Sequence, residues 1–204
     1  MKYLKLMLTL SICVSALLGD RIVFKSKYSE SQVFRALADN LIHTSVGVLS
    51  AFLFFSHEPS ISYYGWLYNV IFCLLVSSVI DVDHFFVARS LLWKDLTQSK
   101  RRGIFHCTSV TLLASLALLL YSYLTKKLNI YVLSWMLLIG FTSHQIRDAN
   151  RRGLWMYPFG HTPPLSTSLY VTLVGVLPNV CGLIYKYTRS NLLKYSIIDY
   201  STLH

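Results

Sequence analysis

Charged residues in this 204-residue chain are gathered into clusters, and between the clusters run apolar stretches about as long as a bilayer core is thick. The stretches lie at roughly Leu4 to Gly19, Leu37 to Phe55, Tyr63 to Ile80, Ile104 to Leu124, Ile130 to Gln145 and Thr167 to Tyr185, the first and fifth being short. Inside a bilayer no water satisfies backbone N–H and C=O groups, so a segment of this composition must close its hydrogen bonds internally, as a helix does. The expected fold is therefore all-α: a polytopic transmembrane helical bundle of five or six spans, forming one integral membrane domain over residues 1–204. Hydrophobic residues make up 54% of the chain and charged residues 14%, too apolar a balance for a solvated globule.

The first run, with Lys2 and Lys5 ahead of LMLTLSICVSALLG, also has the outline of a signal peptide. It lacks a convincing small-x-small cleavage site and is followed at once by basic residues, so an uncleaved span is favoured. HEPS at His57 to Ser60, TKKLN at Thr125 to Asn129 and RRGLWMYPFGHTPPLS from Arg151 to Ser166 carry the punctuation of loops. Trp66, Trp93, Trp135 and Trp155, with several tyrosines, suit an interfacial aromatic belt. Cys13, Cys73, Cys107 and Cys181 are far apart, with no CxxC, and read as free thiols behaving as small apolar residues. The net charge of +10 fits loops beside anionic lipid heads, and no nucleic-acid motif accompanies it. Twelve Lys and Arg flank the loops after spans one, three and five, against seven on the other side, which places the odd-numbered loops in the cytoplasm.

The polar residues that break this pattern all fall on one side. Asp39 and His43 open the second run and His144 and Asp148 close the fifth, each pair at the i, i+4 spacing that puts both side chains on one helical face. Asp81, Asp83 and His84 end the third run, and His106 opens the fourth. Taken singly, each is an interfacial cap or headgroup contact. Ionisable groups at span depth cost on the order of 3 kcal/mol, so their convergence from four runs calls for partners. Carboxylates with imidazoles suit a divalent cation, zinc first and manganese second, and eight such residues are enough for two ions. The expected ligands are His43, Asp81, Asp83, His84, His106 and His144, with Asp39 or Asp148 orienting a histidine or acting as general base. His57, His161 and His204 stand outside the set. Arg101, Arg102, Arg147, Arg151 and Arg152 set topology by default, and their guanidinium forks also match a phosphate.

The stretches RALADNLIH, SVIDVDHFF, FHCTSV, TSHQIRD and GLWMYPFGHTPPL resemble, in order and wording, the transmembrane protein 267 family of eukaryotic multi-pass proteins. More distantly the same positions resemble a bacterial inner-membrane family of metal-dependent hydrolases, grouped with the zinc phospholipase C and P1 nuclease fold. Its pattern is an early His, a D-x-D-H, an H-R-G-x-T-H and a final His with Asp four residues on. That resemblance implies metal-binding roles for His43, for Asp81, Asp83 and His84, for His106, and for His144 with Asp148. The chain departs from the pattern at Arg101, Phe105 and Cys107, where the family has His, Thr and Ser, and at the Arg151 and Arg152 pair. The loss of one ligand puts catalytic competence in question while leaving enough for one metal.

Two functions follow. One is a metal-dependent hydrolase acting on a phosphoester or an anionic lipid at the membrane face. The other is a non-enzymatic membrane protein whose Asp and His pairs lock helices or relay protons. A transporter ranks third, because the polar residues sit at one end and no Gly or Pro break is expected at mid-span.

Overall fold

The computed structural model describes residues 2–58, 61–89 and 102–201. Trp93, Lys94, Lys100, Arg101 and His204, which carried sequence expectations, lie outside the described residues. Among the described residues the chain is a helical bundle without strands: α1 (Lys2–Lys25), α2 (Gln32–Phe55), α3 (Tyr63–Val79), a 3₁₀ turn (Ile80–Val82), α4 (Asp83–Ala88), a second 3₁₀ turn (Ile104–His106), α5 (Thr108–Leu124), α6 (Leu128–Arg152) and α7 (Thr167–Ser201).

Local chemistry sets the boundaries. Ser31 and Ser62 cap α2 and α3 by accepting from the N–H groups of Phe34 and Gly65. Arg89, left-handed at φ 49°, stops α4, and Gly153, at φ 70°, stops α6 while donating to the Ala149 carbonyl. The fourth apolar run begins as a 3₁₀ turn that holds His106, and its helix starts only at Thr108. Contrary to expectation, Pro178 stands inside α7, and the helix runs through it.

Apolar side chains face outward as well as inward. Leu6, Met7, Leu10, Val14 and Leu18 on α1, and Leu113, Leu116 and Leu120 on α5, are all exposed, the surface a bilayer would cover. Helices α1, α2, α3–α4 and α7 are long and apolar enough to cross a membrane, and α5 is apolar but shorter. Helix α6 is the axis of the bundle, packing on α2, α3, α5 and α7. Its buried residues run from Tyr131 to Ala149 and include Ser134, Ser143, His144, Gln145 and Arg147. A helix surrounded by protein can carry polar groups that a lipid-facing one cannot, which explains its mixed composition.

The core lies beside α6 in two parts. Phe54, Trp135, Met136, Ile139 and Tyr185 belong to the larger part, and Ile12, Ala16, Leu53, Tyr170 and Val174 to the smaller. Helices α2 and α3 pack tightly at Gly47, where an added Cβ would lie 2.1 Å from Ser77 Oγ. The carbonyl of the same Ser77 faces α6.

Candidate metal centre

Because successive helices alternate in direction, the C-terminal ends of α1, α3 and α6 meet the N-terminal ends of α2, α5 and α7. The eight residues singled out from the sequence are brought together there. Asp39 and His43 come from α2, Asp81 from the first 3₁₀ turn, Asp83 and His84 from α4, His106 from the second 3₁₀ turn, and His144 and Asp148 from α6.

Their reactive atoms converge on Asp81 and Asp148. His144 Nε2 is 3.5 Å from Asp81 Oδ1 and 3.6 Å from Asp148 Oδ2, and His106 Nε2 is 3.7 Å and 3.6 Å from the same two atoms. His43 Nε2 is 3.4 Å from Asp148 Oδ1, and His84 Nε2 is 3.9 Å from Asp81 Oδ1. Most of these separations are too long for hydrogen bonds. Two ligands of one tetrahedral ion with bonds of about 2.0–2.2 Å stand roughly 3.3–3.6 Å apart, which four of these six separations match, while His106 and His84 stand slightly farther from Asp81. The ligand atoms form two groups, His43 with His144 and Asp148, and Asp81 with His84 and His106, each within 4.8 Å throughout. His43 and His144 stack with ring centroids 3.6 Å apart.

Among the described residues, buried His43 Nε2, His106 Nε2 and His144 Nε2 have no hydrogen-bond partner. Buried polar atoms are nearly always satisfied, and three orphaned ring nitrogens pointing at two carboxylates are an arrangement that a cation would complete. The opposite ring nitrogens of His144 and His106 are held, whereas His43 Nδ1 has no partner among the described residues either. His144 Nδ1 lies 2.9 Å from the Ser77 carbonyl, so its N–H donates there, and in the neutral ring it is Nε2 that carries the lone pair. His106 Nδ1 lies 3.3 Å from Asp83 Oδ2, which also accepts from the Phe105 N–H at 2.9 Å. Asp83, expected among the ligands, thus stands behind the His106 ring, away from Asp81 and Asp148. Gly103 makes room for it: an added Cβ would lie 1.6 Å from Asp83 Oδ1.

Several contributors escaped the sequence reading. Asn40 donates to Asp81 Oδ2 at 3.1 Å and to the Ser78 carbonyl at 2.8 Å, leaving Asp81 Oδ1 to the imidazoles. Gln145 donates to the Phe105 carbonyl and to Thr111 Oγ1, tying the His106 turn to α6. Asp20 on α1 accepts from Arg147 at 2.9 Å and from the Tyr170 hydroxyl. It closes the first apolar run on the same side as the other acids, so the rule that found them extends to it. Asn40 and Gln145 gave no comparable signal.

The arginines divide. Arg147 is 1% exposed and pairs with Asp20 and, at 2.7 Å, with Asp39 Oδ1, so it clamps α1, α2 and α6. Arg151 bridges Asp39, at 3.0 Å, and Asp148. Asp39 is therefore held by two guanidinium groups, 3.8 Å from His43 Nε2. Arg102 donates to the Gly153 carbonyl at 2.9 Å, and its buried Nη2 has no partner among the described residues. Beside the cluster opens a cavity of about 570 Å³, lined among others by Asp81, His84, His106, Asp148 and Arg102.

The histidines set aside lie elsewhere. His161 stacks on Trp155 in the loop before α7. His57 is at the far end, within 3.1 Å of Lys5 Nζ and Asn179 Oδ1. Burial first, and then the Lys5 and Lys186 ammonium groups, hold its pKa below the ordinary value against the Asn179 hydrogen bond.

No family model matches the chain, and no solved structure matches it significantly. Among curated proteins it is 36% identical over 175 residues to transmembrane protein 267 of Mus musculus, covering 85% of this chain and 80% of that one. It is 39% identical over 152 residues to the Danio rerio protein of that name, covering 74% and 66%, and 34% identical over 177 residues to the Xenopus laevis protein, covering 86% and 80%. Those names state membrane residence and are silent on hydrolysis. Identity of this extent, on a bundle whose outward faces are apolar, makes the chain an integral membrane protein belonging to the transmembrane protein 267 family.

Proposed function

We propose that this protein is a metal-dependent hydrolase of phosphoesters, with its site at one membrane face. The observation that carries the reading is the set of orphaned ring nitrogens, His43, His106 and His144 Nε2, gathered at ion-sharing distances around the Asp81 and Asp148 carboxylates. Nitrogen and oxygen donors in this ratio favour zinc, with manganese second. His43, His144 and Asp148 offer one position, and Asp81, His84 and His106 an adjacent one. A bound divalent cation supplies a water acidified toward neutrality.

The chain's own residues do the rest. Asp83 and the Ser77 carbonyl fix the His106 and His144 rings by their Nδ1 atoms. Asn40 turns one oxygen of Asp81 inward. Arg147 and Arg151 hold the Asp39 carboxylate 3.8 Å from His43 Nε2, on the side of that ring facing the cluster. Asp148 takes a ligand's place among three imidazoles in preference to a base's. Arg102, which lines the cavity, is placed to meet a phosphate oxygen. In hydrolysis the water hydroxyl bonds to phosphorus, the P–O ester bond breaks, and the water proton leaves with the alcohol. The charge excess on the odd-numbered loops puts this face in the cytoplasm.

Elemental analysis of detergent-purified protein tests the reading. Stoichiometric zinc or manganese, lost in His144→Ala and Asp81→Ala together with phosphoesterase activity, is the expected result. Absence of metal, with both variants changing only expression or assembly, assigns the cluster to helix locking instead.

A further inference from the structure

The cavity beside the cluster is lined by apolar residues that reach the molecular surface as well as by polar ones. Its polar floor is Asp81, His84, His106 and Asp148, while Leu37 on α2 and Val82 and Phe85 at the end of α3–α4 form an apolar wall. Leu37 is 59% exposed and Val82 39%, so this wall reaches the molecular surface. There it continues into other exposed apolar residues. Leu41, one turn further along α2, is 64% exposed, Val79, one turn before Val82, is 47%, and Phe86 is 70%. Leu37 and Leu41 share a helical face by their i, i+4 spacing, and that face belongs to a helix long and apolar enough to span a bilayer. Among the described residues, the crevice between α2 and α4 thus carries exposed apolar side chains, Leu37 and Val82, on the same cavity that His84 and His106 line. Basic residues line the same cavity: Arg102, and Arg35, exposed and 5.4 Å above the Phe24 ring.

A soluble phosphoester needs only the basic side and the floor. An amphiphile uses all three surfaces at once, with its phosphate between Arg102 and the imidazoles and its chain along Leu37 and Val82. We propose that the ligand of this site is a phosphate-bearing membrane lipid that reaches it sideways from the surrounding leaflet, between α2 and α4. The proposal rests on the hydrolase reading for its chemistry and on the crevice for its route, and the two can fail separately.

The test uses the full chain in phosphatidylcholine nanodiscs with two readouts. The first is capture of a trace photoreactive phosphatidate, competed by unlabelled phosphatidate or by glycerol 3-phosphate. The second is zinc-dependent release of phosphate from phosphatidate compared with p-nitrophenyl phosphate. Expected are saturable capture mapping to α2 and α4, at least tenfold better competition by phosphatidate, and at least tenfold loss of capture in Leu37→Glu and in Arg102→Gln. Leu37→Glu should lose lipid turnover by a similar factor while metal content and p-nitrophenyl phosphate turnover stay within twofold. Leu37→Met, which keeps the apolar wall, should behave as wild type, and Val82→Gln repeats the test should Leu37→Glu fail to fold. Capture that does not saturate, equal competition by glycerol 3-phosphate, or equal effects of Leu37→Glu on both substrates overturns the lateral route, even where metal and turnover are found. Saturable capture by a wild-type protein that holds no metal sinks the hydrolase reading and leaves the lipid site standing.

Discussion

Replacing Gly103 with alanine tests whether Asp83 sets the geometry of His106. The new Cβ would stand 1.6 Å from Asp83 Oδ1 and 2.1 Å from its Cγ, where real contacts stay beyond 3.0 Å, so the carboxylate must retreat by more than an ångström. It has no free direction, because Asp83 is 4% exposed. Its Oδ2 cannot then keep both the 3.3 Å contact to His106 Nδ1 and the 2.9 Å bond from Phe105 N–H. Overpacking of this kind costs about 1–3 kcal/mol of stability. Losing the partner that orients a ligating imidazole lowers metal affinity about 10–100-fold, equivalent to about 1.4–2.7 kcal/mol. The assay is competition for zinc against a fluorescent chelator, run on detergent-purified wild type, Gly103→Ala and Asp83→Asn. The asparagine keeps an acceptor and loses the charge, so its affinity should fall less than that of Gly103→Ala. Zinc affinity within twofold of wild type in Gly103→Ala protein that elutes as a native monodisperse species would refute the argument.

Arg147→Met leaves Asp20 and Asp39 facing one another without their shared cation, and thermal unfolding in detergent should show a loss of about 3–5 kcal/mol. Adding Asp20→Asn removes one of the stranded charges and should recover part of that loss. Stripping the metal with a chelator should lower the unfolding temperature, and zinc returned at a hundredfold excess over its Kd should restore about 2.7 kcal/mol. An unfolding curve indifferent to both treatments would count against the centre. His57→Gln, at the opposite end of the bundle beside Lys5 and Asn179, should leave zinc content unchanged while loosening the packing of α1 on α7, read as a lower unfolding temperature.

What was legible in advance depended on how far each relation reaches along the chain. The helical period alone puts Asp39 with His43 and His144 with Asp148, because i, i+4 neighbours share a face whatever the tertiary fold. The gathering at one end follows from alternation: each helix that crosses the bundle returns the chain to the same face two helices later. The roles within the cluster were beyond such rules, because they depend on how closely neighbouring helices approach. Asp81 and Asp83 are two residues apart in a single D-x-D, yet the 3₁₀ turn aims one at the imidazoles and Gly103 lets the other slip behind His106. Arg147 illustrates the same limit from the other side. By count it is one more positive charge near a helix end, the usual mark of topology. Only the approach of Asp20 from α1 and Asp39 from α2 makes its complete burial tolerable. Helix α6 unites these cases: its place at the bundle's axis excludes lipid from it, and so permits Ser143, His144, Gln145, Arg147 and Asp148 within six residues. The helix least suited by composition to face a bilayer is thus the one on which the site is built.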